Sequence, residues 1–200
     1  MKNMKKLVLA SILSLSVSMF AANQESEAAG THVVQSGESL YKIGVKYGVP
    51  VAAIKKANNL TSDMIYPGQS FSIPDSTVSA ADKDLMARLV YAEAKGEPYA
   101  GKVAVATVIL NRVDSPDFPN TVRDVIYQIS SSGSYAFTPV KTGSINQAAD
   151  AESQKAVNEA LAFRGQGNGS VYFYNPNTAV SQWIFSRPVT VTIGNHRFAK

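Results

Sequence analysis

Glu93 stands where an amphipathic helix should present a hydrophobe. Leu85, Met86, Leu89 and Val90 recur at helical spacings and form one apolar face, and Glu93 follows Val90 by three residues and Leu89 by four, on that same face. Gly96 and Pro98 then stop the helix, leaving Glu93 close to its C-terminal end. An apolar surround and the negative end of the helix dipole both disfavour a carboxylate, so a pKa raised from near ~4.3 toward ~6 is expected. A carboxyl group of that kind keeps its proton near neutrality and can give it to a leaving oxygen, as cleavage of a glycosidic bond requires. The alternative is a glutamate that snorkels to solvent. Glu97, on the turn after Gly96, reads as exposed, or as a group that orients Glu93 or a substrate hydroxyl.

A second concentration of useful groups lies near the C-terminus. Asn175, Thr178 and Ser181 place amide and hydroxyl groups between a strand, Val171 to Tyr174, and Trp183. Such groups hydrogen-bond sugar hydroxyls, and Tyr174 or Trp183 can stack on a pyranose face. Phe137 and Thr138, after the serine-rich loop 130–134, are further candidate substrate contacts. Tyr172, Phe173 and Phe185 read as core.

Composition narrows the chemistry. The 200 residues contain no cysteine and two histidines, which removes thiol nucleophiles and thiolate metal sites and disfavours histidine-bound zinc. No cofactor and no metal are expected. Leu7 to Phe20 is an uncharged apolar stretch after Lys2, Lys5 and Lys6, followed by Ser26-Glu27-Ala28, as in a signal peptide covering residues 1–28. The alternative is an uncleaved N-terminal anchor. Cutting after Ala28 removes three lysines and two glutamates, which leaves 16 basic and 13 acidic residues and a net charge of +3. No basic block supports nucleic-acid binding. The mild positive charge suits an anionic matrix such as a cell wall.

The elements that must position these groups fall into two units. Residues 31–74 read strand, helix, helix, strand: Thr31 to Gln35; a helix capped near Ser39 with Leu40, Ile43 and Tyr47 on one face and Gly48 as its end; a helix after Pro50 burying Val51, Ile54 and Ala57; and Gln69 to Ile73 after a Pro67-Gly68 turn. Residues 75–81 are small and polar and read as a linker that hinges. Residues 82–200 read as a mainly helical unit beginning at Asp82. Its later helices span about Tyr99 to Val113, a stretch capped at Thr121 bearing Val122, Val125, Ile126 and Ile129, and Ala148 to Arg164. Gly165 to Ser170 reads as a flexible connection, and a C-terminal hairpin turns at Gly194-Asn195 after the alternating Val189, Val191 and Ile193.

The first unit carries His32-Val33-Val34-Gln35-Ser36-Gly37-Glu38-Ser39-Leu40, then Ile54, Asn58 and Ile65-Tyr66-Pro67-Gly68-Gln69, and resembles the LysM module. That resemblance implies binding of polymers containing N-acetylglucosamine, in a groove formed by Gly37, Glu38, Ser39 and Leu40 with Met64, Ile65 and Tyr66. The second unit carries Leu89-Val90-Tyr91-Ala92-Glu93-Ala94-Lys95-Gly96-Glu97-Pro98, Leu110-Asn111-Arg112-Val113, Tyr174-Asn175-Pro176 and Phe198-Ala199-Lys200. It resembles the cell-wall hydrolase family of the spore-cortex-lytic enzymes. The implied fold class is α+β: a small βααβ LysM module linked to a mainly helical domain similar to lysozyme and the lytic transglycosylases, with a small C-terminal β-sheet. The resemblance implies Glu93 as catalytic acid. The LysM module itself, and Tyr135-Ala136 before Phe137, depart from the family's best-known members and bear on substrate preference.

The expected function is therefore an exported enzyme, associated with the cell wall or spore envelope, that cleaves peptidoglycan glycan strands between N-acetylmuramic acid and N-acetylglucosamine. No membrane contact is expected of the mature form, and a regulatory protein partner is left open. Hydrolysis ordinarily needs two carboxylates, and no second acid is obvious beside Glu93. A lytic transglycosylase needs one acid and leaves 1,6-anhydro ends. The alternatives are a hydrolytic muramidase using Asp114, Asp117, Asp150 or Glu152, and a non-catalytic wall-binding protein.

Overall fold

The computed structural model describes residues 30–131 and 133–200. The signal-peptide expectation for residues 1–28 lies outside them. Among the described residues, no helix is long and apolar enough to cross a membrane.

The N-terminal unit follows the expected order: β1 (Gly30–Val33), α1 (Leu40–Tyr47), α2 (Val51–Ala57) and β2 (Ser70–Ile73). The strands pair antiparallel with His32 opposite Phe71. Ser39 caps α1 through its hydroxyl, which accepts the Lys42 amide, and Gly48 ends it in the left-handed region. Leu40, Ile43, Ile54, Phe71 and Ile73 close a small core with Val34 and Val49. Ala57 differs from expectation: it is exposed, because it falls on the solvent side of α2.

The larger unit is built around α3 (Ala80–Ala94), α4 (Tyr99–Asp114) and α7 (Ala151–Ala162), which pack on one another. The short helices α5 (Val122–Ile126) and α6 (Thr138–Thr142) lie against α3. Helix α3 starts before Asp82 because Ser79 is its cap; the Ser79 hydroxyl accepts the Asp82 amide and donates to the Asp82 carboxylate. Ile129 leaves the face of α5 and is exposed, since that helix ends at Ile126. After α7 come β3 (Tyr172–Tyr174), α8 (Gln182–Phe185), β4 (Val189–Ile193) and β5 (His196–Ala199). The strand order is β3-β5-β4, antiparallel throughout, with Phe173 opposite Phe198.

The two units are not hinged. Helix α1 packs directly on α7, with the rings of Tyr41 and Phe163 5.0 Å apart. Gly44 permits the approach: a Cβ there would lie 3.2 Å from the Ala162 Cβ and 2.9 Å from the Val49 carbonyl oxygen. The connecting segment is pinned as well. The Ser76 hydroxyl donates to the Gly48 carbonyl, Thr77 accepts from Arg164, and Val78 is buried in the larger core. Small polar residues read as a linker by composition, but here they bond to both units.

Candidate active site

Glu93 occupies the last turn of α3, between buried Val90 and Ala94. Burial pushes its carboxyl group up to about 7. Among the described residues, none forms a hydrogen bond or ion pair with that carboxyl, so nothing offsets the cost of ionising it. The group is thus half protonated near neutrality, the condition for an acid that must also act as a base.

Glu97 is held differently. The backbone N–H of Asn195 donates to its Oε2 at 2.9 Å and the Asn195 side-chain amide donates to Oε1 at 3.1 Å. Both oxygens are committed to the β4–β5 turn, so Glu97 works as a clamp rather than as an exposed acid. Gly194, at φ 58, completes this turn; any side chain there would run into Glu97. The clamp ties the end of α3 to β5, where His196 lies 5.3 Å from the ring of Phe173.

Phe173 opens onto a groove of about 740 Å³. One wall is formed by Gln128, Ser130, Ser134, Tyr135, Ala136 and Thr138, the other by the segment from Asn175 to Ile184, with Arg112, Phe118 and Tyr172 between them. Thr138, Asn175, Thr178, Ser181 and Trp183 therefore come together along one groove. Trp183 is 51% exposed, its ring steadied edge-on by Tyr172 at 5.1 Å and faced by the Arg187 guanidinium at 4.8 Å.

Two aromatic candidates are corrected. Tyr174 is 7% exposed and packs edge-to-face on Phe185, so its face is unavailable to a pyranose. Phe137 is 3% exposed, stacked at 6.3 Å from Phe173 and under the Arg112 guanidinium, and supports the groove from within. Glu93 and Glu97 lie outside the groove's lining; Glu97 is tied through Asn195 to the β4–β5 turn, and β5 carries His196 and Phe198 against Phe173 in the groove. Arg112 lies at a helix end and within the Leu110-Asn111-Arg112-Val113 motif, but neither feature indicates that its side chain lines the groove. Its surroundings come from three separate segments, and no local pattern announces them.

A family model described as Cell Wall Hydrolase matches residues 96–199, and a LysM domain model matches residues 32–74. The chain belongs to the Cell Wall Hydrolase family. The matched span begins three residues after Glu93. The spore cortex-lytic enzyme of Halalkalibacterium halodurans is 48% identical over 117 residues, 58% of this chain and 34% of that protein. The spore cortex-lytic enzyme of Bacillus cereus is 46% identical over 122 residues, 61% of this chain and 45% of that protein. The chain thus spans less than half the length of these curated relatives. Among solved structures, the catalytic domain of the germination-specific lytic transglycosylase SleB from Bacillus anthracis is similar, with TM-score 0.56 and 44% identity over 62% of this chain and 98% of that one.

Within this Cell Wall Hydrolase chain, the acids weighed as partners for Glu93 are mostly engaged elsewhere. Asp114 forms an ion pair with Arg164 at 2.6 Å. Glu152 pairs with the buried Lys102, and Asp150 caps α7 while lying 3.8 Å from that same lysine. Asp117, exposed beside Phe118, has its backbone N–H bonded to Ser115 and its carboxylate free among the described residues.

In the LysM module the two candidate loops are adjacent, because the Gly68 amide donates to the Val34 carbonyl. Met64 and Tyr66 are exposed, and the Tyr66 hydroxyl contacts the Met64 sulfur at 3.0 Å. Gly37 is exposed and Ile65 packs on the small core. Leu40 is a core residue, which corrects its placement in a glycan groove. Ser39 spends its hydroxyl on the cap of α1. The Glu38 carboxylate is taken by the Gln35 amide at 2.8 Å and by His32 at 2.7 Å, and these bonds hold it below the usual carboxylate range.

Proposed function

We propose that this chain is an exported peptidoglycan lytic transglycosylase that acts on the bond between N-acetylmuramic acid and N-acetylglucosamine, with the LysM module holding it to the wall. The observation that carries this reading is the half-buried, unpartnered Glu93 carboxyl, pushed up to about 7. Membership of the Cell Wall Hydrolase family and the names of its relatives, a spore cortex-lytic enzyme and a lytic transglycosylase domain, support the same chemistry.

Glu93 donates its proton to the oxygen of the departing N-acetylglucosamine as the bond from muramic acid C1 to that oxygen breaks. The carboxylate so formed takes the proton of the muramic acid C6 hydroxyl, and O6 bonds to C1. The products are a free 4-hydroxyl and a 1,6-anhydro end, no water is consumed, and Glu93 is returned protonated. One acid is enough for this sequence. Hydrolysis would need a second carboxylate across the scissile bond, and three of the four acids weighed for that role hold other partners.

The test is mass spectrometry of purified peptidoglycan digested by the intact chain. Anhydro-muramic acid ends are expected, and they should vanish with Glu93→Gln while binding to the wall persists. Reducing muramic acid ends would replace transglycosylation with hydrolysis, and equal lysis by the variant would remove Glu93 from catalysis.

A further inference from the structure

Arg112 is the one charged residue among the described residues that line the groove. It is 7% exposed, and no carboxylate among the described residues lies within ion-pair distance of it. Its Nε donates to the Val171 carbonyl at 2.7 Å. The terminal nitrogens donate to no described residue. Phe118, Phe137 and Tyr172 surround the guanidinium with ring centroids at 5.1, 4.9 and 5.7 Å.

These cation–π contacts fix the plane of the guanidinium and leave its terminal nitrogens facing the groove, but they supply no full negative charge. A cation withdrawn from water in this way is costly unless an anion meets it, and a planar fork of N–H donors matches a carboxylate best. Burial draws its pKa down to about 10, which still leaves it charged at neutral pH. The neighbouring groove walls, rich in hydroxyls and amides with an exposed tryptophan, suit the neutral sugar ring that would carry such an anion.

We propose that Arg112 forms a carboxylate subsite in this groove and recognises the acidic substituent of the glycan, so that the enzyme reads more than the sugar backbone. The proposal rests on the peptidoglycan reading above. In that polymer the sugars are neutral and carboxylates come from two sources, the lactyl ether of muramic acid when it is unsubstituted and the stem peptide when it is present. Both offer the same planar anion.

The test compares three glycan strand preparations with the intact wild-type chain, which avoids any variant that fails to fold. The first carries stem peptides, the second has them removed to leave lactyl carboxylates, and the third has its carboxylates converted to methyl amides. Loss of one charge-assisted, bidentate contact should lower kcat/KM on the third by roughly 10- to 100-fold. The better of the first two names the source. The Arg112 Nε–Hε resonance, followed in the Glu93→Gln chain, should move on adding either charged strand and stay in place with the amidated one. Equal cleavage of all three strands, or an Arg112 resonance indifferent to charge, overturns the subsite. Failure to cleave any strand, with the resonance still responding to carboxylates, overturns the transglycosylase reading and leaves the subsite standing.

Discussion

Replacing Glu93 by Gln should change the stability of the protein in a way that depends on pH, independently of any enzymatic assay. The native carboxyl titrates at about 7, whereas an ordinary glutamate titrates at 4.5. Between those values the native state holds a proton that the unfolded chain has released, so stability must fall as pH rises through that window and level off above it. The gap corresponds to roughly 3 kcal/mol, an upper figure because the side chain keeps some access to solvent. Glutamine is nearly isosteric and never ionises, so the variant lacks this loss. Urea unfolding of both proteins at pH 4, 5.5, 7 and 8.5 should therefore give curves that diverge in favour of Glu93→Gln as pH rises, with all other groups cancelling in the difference. In the proposed mechanism this is the proton donated to the leaving oxygen: kcat/KM should decline tenfold per pH unit above about 7, and the variant should lose at least ~100-fold in kcat. Stability profiles that run parallel across the whole range would mean that Glu93 ionises like a solvated acid, and the argument for it as proton donor would fail.

Trp183→Ala should raise KM by roughly tenfold, the loss of about 1.5 kcal/mol of aromatic contact, with little change in kcat; steady-state kinetics on soluble strands decides it, and an unchanged KM removes the stacking role. Glu97→Ala should destabilise by roughly 1–3 kcal/mol in thermal melting, and Asn195→Ala by less, because it removes the side-chain bond of the clamp and leaves the backbone one; a catalytic defect confined to Glu97→Ala would instead place that acid on substrate. Gly44→Ala forces a Cβ against the Val49 carbonyl and Ala162 and should cost roughly 1–3 kcal/mol, while exposing residues 75–79 to limited proteolysis; unchanged resistance would mean that the contact between the units is not tight. Acidification should loosen the first LysM loop, because Glu38 is held below 4.5 by the Gln35 amide and by His32. Its contribution is present above 4.5 and fades as pH falls through its native value, so protection of the Gln35 amide from hydrogen exchange should drop there and become independent of pH in Glu38→Gln.

The order of elements was legible because each announces itself locally. Ser39 before Leu40, Gly48 after Tyr47, and Gly194-Asn195 between alternating residues are signals within a few positions of the structure they produce. The connection between the units was misread for the same reason. Asp75 to Ala81 has the composition of a free linker, and what pins it is distant in sequence: Ser76 finds Gly48, Thr77 finds Arg164, and Val78 enters a core made by helices that follow it. Gly44 could be recognised as small, but not as the point where another helix arrives.

The candidate site divides along a similar line. Glu93 was conspicuous because an acid interrupts a hydrophobic stripe, and a stripe is visible in one helix alone. Burial of an aromatic ring is decided by partners elsewhere. Tyr174 and Trp183 flank the same polar loop and have similar chemistry, yet β3 turns Tyr174 inward against Phe185, while α8 lifts Trp183 to the rim. Glu97 has a hydrogen-bond partner 98 positions away, so its role as a clamp had no local sign. Arg112 is the extreme case: an arginine at a helix end ordinarily reads as a solvated charge, and only the meeting of Phe118, Phe137 and Tyr172 around it sets that charge among aromatic rings with no carboxylate beside it. An acid out of place can thus be found from periodicity, because one helix displays the stripe it interrupts, whereas the groups that line the groove come from tertiary contacts that no single element displays.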